Sequence, residues 1–91
     1  MRPEDYPAQE PFTELGGRYH AEVMRLGQGL VGVDIVHGAN PYQSVAFYPA
    51  PKPRGDVLCL IHGGGWTNGY KEWMAFMAPA LNERGITVAS L

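Results

Sequence analysis

His62-Gly63-Gly64-Gly65-Trp66 follows directly on the apolar run Val57-Leu58-Cys59-Leu60-Ile61. Three successive glycines behind a strand let the backbone turn sharply and bring bare N–H groups up to a ligand, because no Cβ blocks positive φ values or the approach. Such a loop receives anions. The anion it suits best is the oxygen of a tetrahedral intermediate in acyl transfer, where positioned backbone donors meet charge as it develops. On this reading Gly63, Gly64 and Gly65 form an oxyanion hole. His62 is expected to hydrogen-bond backbone and hold the loop rather than act as a base, and Trp66 either walls the pocket or packs under the loop.

That chemistry also needs a nucleophile on a strained elbow, G-x-S-x-G, with an acid and a base further along the chain. The 91 residues contain two serines, Ser44 and Ser90, and neither has flanking glycines. The sequence stops at Leu91 inside an expected strand, so the nucleophile, acid and base are all expected beyond Leu91. No residue present is assigned a catalytic role, and the 91-residue piece alone is expected to be inactive.

A glycine turn between strand and helix also suits phosphates. The P-loop pattern can be laid over Gly64 to Gly69, but Tyr70 stands where its lysine is required. The dinucleotide pattern fits Gly63 and Gly65, then meets Asn68 in place of its last glycine and finds no acidic residue about twenty positions later. Both nucleotide readings fail. Cys59 and His62 suggest a thiol-imidazole pair, but alternation along a strand places them on opposite faces. His20 and His37 have no companion at metal-ligand spacing, so no metal and no cofactor are expected.

The formal charge of −2 and the absence of a Lys/Arg cluster argue against nucleic-acid binding. A small ester or amide is the expected ligand. No apolar stretch approaches the roughly eighteen residues of a spanning helix, and Met1 to Pro7 has no apolar signal region, so a cytoplasmic protein without membrane contact is expected. The single cysteine, Cys59, excludes an internal disulfide and is expected to be a buried strand residue.

The elements that must position the loop follow from periodicity. Residues 1–29 read as a proline-rich extended arm and a helix from Gly17 to Leu26, stopped by Gly27. Residues 30–91 read as the first part of an α/β domain, truncated inside its fourth strand. Val31, Val33 and Ile35 alternate with Gly32, Asp34 and Val36, and Val45 and Phe47 alternate again after a turn, which predicts a β-hairpin. Val57 to Ile61, apolar throughout, predicts a strand buried on both faces of a parallel sheet. Trp73, Phe76, Met77, Ala80 and Leu81 form one helical stripe, with Pro79 expected to kink or split the helix and Gly85 to end it. Ile86, Val88 and Leu91 begin the last strand.

Together, His62-Gly63-Gly64-Gly65-Trp66, Gly69-Tyr70-Lys71, Phe76-Met77-Ala78-Pro79-Ala80-Leu81 and Gly85-Ile86-Thr87-Val88-Ala89 resemble the α/β-hydrolase superfamily over roughly Leu30 to Leu91. The HGG-x-W form, the lysine after it and the Ala-Pro-Ala-Leu-like helix look most like the arylformamidase (kynurenine formamidase) and small-carboxylesterase branch. Hormone-sensitive-lipase-like esterases share the glycine loop. The resemblance implies a cofactor-free serine hydrolase of carboxylic esters or N-formyl aryl amides. It also implies that the N–H groups of Gly64 and Gly65 face the oxyanion while Gly63 shapes the turn. The competing expectation is a catalytically inactive remnant that works by binding, pairing through its exposed strand edge with a complementary chain or as a homodimer.

Overall fold

Thr13 opens the first helix. Its side chain accepts the N–H of Gly16 at 3.0 Å, satisfying one of the donors that a helix start leaves free, and α1 runs Glu14–Leu26. The cap lets the helix begin three residues before the expected Gly17, because a capped first turn tolerates Gly16 and Gly17. Gly27 ends it with φ −88, so the expected left-handed stop is absent there, and the positive φ falls on Gly29. The computed structural model describes residues 3–91; the expected arm's Met1 and Arg2 lie outside the described residues.

Four strands form one sheet: β1 (Val33–Val36), β2 (Ser44–Tyr48), β3 (Val57–Leu60) and β4 (Thr87–Ser90), in the spatial order β1-β2-β4-β3. The hairpin β1-β2 is antiparallel as expected, β2 pairs antiparallel with β4, and β3 pairs parallel with β4. Among the described residues this is an incomplete, unclosed sheet, consistent with part of an α/β-hydrolase architecture. Pro49 to Gly55 lies outside the sheet, as its prolines require.

The connection from β3 to β4 divides at the proline. Lys71–Met77 is a 3₁₀ segment, and α2 (Ala78–Glu83) begins with Pro79 in its first turn, where a missing N–H costs nothing. Gly85, at φ +77, then closes α2 in a Schellman arrangement: the Ile86 N–H reaches the Leu81 carbonyl at 3.0 Å and the Gly85 N–H reaches that of Asn82 at 2.9 Å. The change of helical period at Pro79 breaks the predicted stripe. Trp73 is buried, Phe76, Met77 and Leu81 are half-buried, and Ala80 faces solvent.

The core lies between the helical layer and one face of the sheet, with Ala46, Tyr48, Ala75, Ala78 and Val88 at its centre and Leu30, Leu60 and Leu81 packed around them. Two expectations fail on the other face. Cross-strand register sets Val33, Phe47, Ala89 and Cys59 in one row on that face, exposed at its two ends, Val33 and Cys59, and buried only at Ala89 between its strand neighbours. As the edge strand, β3 is therefore largely exposed rather than buried on both sides, and Cys59 is exposed with it. The same register decides the faces of β1. Val33 and Ile35 face outward, while Asp34 sits opposite Ala46 on the helix-covered face.

Candidate active site

The glycine loop leaves β3 at Ile61 and re-enters helical structure at Lys71. Gly64 (φ +140), Gly65 (φ +62) and Trp66 (φ +68) are successive residues in the left-handed half of conformational space. The Gly64 carbonyl turns inward and accepts from the N–H groups of Thr67 at 3.1 Å and Asn68 at 3.2 Å, and from Thr67 Oγ1 at 3.2 Å. The N–H groups of Gly63, Gly64, Gly65 and Trp66 have no acceptor among the described residues. Four consecutive donors are thus without a protein acceptor among the described residues.

The three glycines carry different demands. A Cβ on Gly64 would stand 1.6 Å from the Asn68 carbonyl oxygen, an impossible approach, whereas nothing lies within 4 Å of one built on Gly63 or Gly65. Gly65 is demanded only by its φ. Gly63 makes neither demand, so the turn is shaped by Gly64 and Gly65 rather than by Gly63 as the resemblance implied. A fourth glycine, Gly69, carried no role of its own in the sequence. Gly69 is buried at φ +123, and a Cβ there would lie 2.4 Å from His62 Nδ1 and 2.6 Å from the Gly63 carbonyl oxygen. It backs directly onto the start of the loop.

His62 donates from Nδ1 to the Gly63 carbonyl at 2.6 Å, and its ring meets Trp73 edge-on with centroids 5.8 Å apart. The tryptophan beneath the loop is therefore Trp73, which is buried. Trp66 lines the cleft with a fully solvent-exposed side chain, so it does not pack under the loop. Trp73 also gathers Phe12, Tyr19, His20 and Tyr70 around itself and donates from Nε1 to His20 Nδ1 at 2.9 Å. His20 thus belongs to the aromatic support of α1 against the 3₁₀ segment. Among the described residues no group of His, Cys, Asp and Glu could hold a metal ion.

The arm that precedes α1 lies across the loop, which nothing in its composition announced. The Glu10 N–H donates to the Thr67 carbonyl at 3.1 Å, and Gln9 Oε1 accepts the N–H of Gly69 at 2.7 Å. Tyr6 stacks edge-on against Tyr70 and donates its hydroxyl proton to Glu72. Burial, then the adjoining Glu72 carboxylate, holds the Tyr6 phenol far above its ordinary range. Loop and arm bound a cleft of about 790 Å³, lined by Tyr6 to Gln9, Ile61 to Gly69, Tyr42, Ser44, Lys71 and Leu91.

Lys71 is the other residue that sequence reasoning left without a role. Its side chain is 3% exposed, its ammonium lies 3.0 Å from Asp34 Oδ1, and it donates to Ser44 Oγ. Burial alone would raise the Asp34 carboxyl, but the hydrogen bond and charge of Lys71 lead the effects that bring it below the usual carboxylate range. Both serine hydroxyls are engaged in the packing around Lys71. Ser44 Oγ receives the ammonium and donates to the Pro41 carbonyl at 2.9 Å, and Ser90 Oγ donates to the Lys71 carbonyl at 2.5 Å. The available signal for Asp34 was a charge set among Val33, Ile35 and Val36.

Comparison with known proteins agrees with this architecture. Over 59 residues the chain is 36% identical to a "probable isoprenylcysteine alpha-carbonyl methylesterase" of Oryza sativa subsp. japonica, and 37% identical over 59 residues to one of Arabidopsis thaliana. The likeness is to the carboxylesterase-like branch of the α/β-hydrolase superfamily. A second Arabidopsis thaliana methylesterase is 36% identical over 62 residues. These matches take in 63% of this chain but only 12–14% of the relatives' own lengths. No protein-family model matches the chain, and no solved structure matches it significantly. The relatives carry the esterase side of the sequence resemblance; they do not single out its arylformamidase side.

Proposed function

We propose that these residues form the oxyanion half of a serine hydrolase that cleaves carboxylic esters. The observation carrying the proposal is the row of four unclaimed N–H groups, Gly63 to Trp66, on the wall of a cleft large enough for a small-molecule ester. A serine supplied from outside the 91 residues attacks the ester carbonyl, and its proton passes to a base. The loop donors hold the oxygen that becomes negative. Collapse breaks the bond to the alcohol, which leaves with that proton, and water then cleaves the acyl-enzyme through a second oxyanion at the same place. The likeness to probable isoprenylcysteine methylesterases favours methyl esters of apolar thioether-bearing carboxylic acids over N-formyl aryl amides, which are the second substrate class.

The test is to treat the protein purified from its source with a serine-directed fluorophosphonate and to map the adduct by peptide mass spectrometry. The expected result is one phosphonyl group on a serine other than Ser44 and Ser90, with parallel loss of methyl-ester hydrolysis. Adduct on Ser44 or Ser90, or hydrolysis that persists in the fully labelled protein, would overturn the proposal.

A further inference from the structure

Three neighbouring strands each contribute one polar residue to the covered face of the sheet, at the place where an apolar core would otherwise continue. Asp34 of β1 and Ser90 of β4 flank Ala46 of β2 in register, and Ser44 stands two residues before Ala46 on the same face. All three close on Lys71. Asp34 and Ser44 hold its ammonium and Ser90 holds its backbone carbonyl. Burying the Lys71 ammonium is expensive, and its pairing with Asp34, whose side chain is 32% exposed, seldom adds net stability over apolar packing; the best-attested return of such a pair is the fixing of one register between packed elements. Apolar side chains alone would let the 3₁₀ segment slide on the sheet. An ammonium with a directional acceptor on each of two strands would not.

The register so fixed is that of the glycine loop. Lys71 lies two residues after Gly69, and Gly69 is packed so closely on His62 and the Gly63 carbonyl that not even a methyl group fits between them. Any displacement of Lys71 along the sheet is therefore passed to the first residues of the donor row. We propose that Lys71 is a positioning residue, seated in a socket made by Asp34, Ser44 and Ser90, that sets the loop's N–H groups relative to the cleft. The consequence for turnover rests on the esterase reading; the consequence for loop order does not.

Two variants separate positioning from plain stabilisation. Lys71→Met removes the ammonium at similar volume, and Lys71→Met/Asp34→Leu replaces the whole ion pair with apolar contacts, an exchange that commonly restores stability. Backbone amide hydrogen exchange across residues 61–69 of the intact protein is followed by mass spectrometry, beside the thermal midpoint. Exchange at Thr67, Asn68 and Gly69, whose N–H groups are hydrogen-bonded to the Gly64 carbonyl or to Gln9, is expected to be about tenfold faster in both variants, the loss of roughly one charge-assisted hydrogen bond, while the midpoint falls in the first and recovers in the second. Wild-type exchange in the double variant, or in the single one, would overturn the proposal by showing that Lys71 only stabilises. Ser44→Ala keeps the ion pair and so guards against a misfolded single variant: a smaller acceleration supports the socket and none opposes it. On the same samples a fall in kcat at constant KM is expected for methyl-ester hydrolysis. A complete lack of hydrolysis by the unmutated protein would sink the esterase reading and leave the exchange rates to decide the socket.

Discussion

Replacing Gly64 with alanine would put a methyl carbon 1.6 Å from the Asn68 carbonyl oxygen and 2.7 Å from the Asn68 carbonyl carbon. The new residue would also have to hold φ +140, a value that L side chains rarely adopt. Both conflicts are with backbone, so no rotamer change relieves them. The loop must open, and opening breaks the three hydrogen bonds that the Gly64 carbonyl accepts from Thr67 and Asn68. Holding a residue in such a region costs about 1–3 kcal/mol, an amount a surface loop sheds by rearranging, so the thermal midpoint should move by only a few degrees. The donor row does not survive that rearrangement. Loss of one oxyanion donor costs about 10²- to 10³-fold in kcat, or roughly 3 to 4 kcal/mol, and falls on the transition state rather than on substrate binding. The assay is steady-state hydrolysis of a methyl ester by the intact protein, with Gly17→Ala in α1 as the control because it lies outside the cleft and a Cβ there meets nothing within 4 Å. The expected result is a kcat loss of at least 10²-fold for Gly64→Ala at nearly constant KM, beside a change of less than about threefold for Gly17→Ala. Equal effects at the two positions, or a Gly64→Ala loss confined to KM, would refute the assignment of the donor row.

Gly69→Ala drives a methyl group into His62 Nδ1 and the Gly63 carbonyl, so kcat and thermal stability should fall together, as differential scanning calorimetry and kinetics on one preparation would show. Gln9→Ala removes the acceptor of a partly buried N–H; an unpaired group of that kind costs about 1–3 kcal/mol, and amide exchange at Gly69 should accelerate at least tenfold. Tyr6 should remain protonated in ultraviolet pH titration after exposed tyrosines have ionised. Because its folded-state value is raised, its contribution to stability is complete below the ordinary tyrosine range and declines as the pH climbs past about 10. Asp34 is the opposite case: its carboxyl is lowered, so its contribution is complete above the ordinary carboxylate range and is lost as the pH falls below about 4, and Asp34→Asn should flatten that acid limb of the denaturation curve.

What could be read from the residues was what local chemistry decides. The hairpin, the proline break before α2, the Gly85 cap and the glycine loop each rest on a few adjacent residues whose backbone preferences leave little choice. What could not be read depends on which face meets which neighbour. Alternation in Val33-Asp34-Ile35-Val36 announces a strand but does not say which side is covered, and the aspartate lies on the helix side, part-exposed, where Lys71, thirty-seven positions on, meets it. Gln9 and Tyr6 gave no signal, since an arm of prolines and polar residues looks alike whether it crosses a loop or hangs in solvent. Gly69 was visible as a letter, yet its necessity arises from the His62 ring behind it. The misjudged burial of β3 has a different physical cause. Its side chains on the row of Val33, Phe47 and Ala89 are those that a covered face selects, and an open edge of that composition is one that soluble sheets normally pair, charge or shield. The sequence of β3 therefore states a demand for cover that the described elements do not meet, and the same strand delivers the chain to the donor row. A loop whose leading strand is held on one side only has its geometry fixed from the other, by the arm at Gln9 and by the socket at Lys71. That is why the substitutions with the largest expected effect on the loop lie at Gly64, Gly69, Gln9 and Lys71, and not in β3 itself.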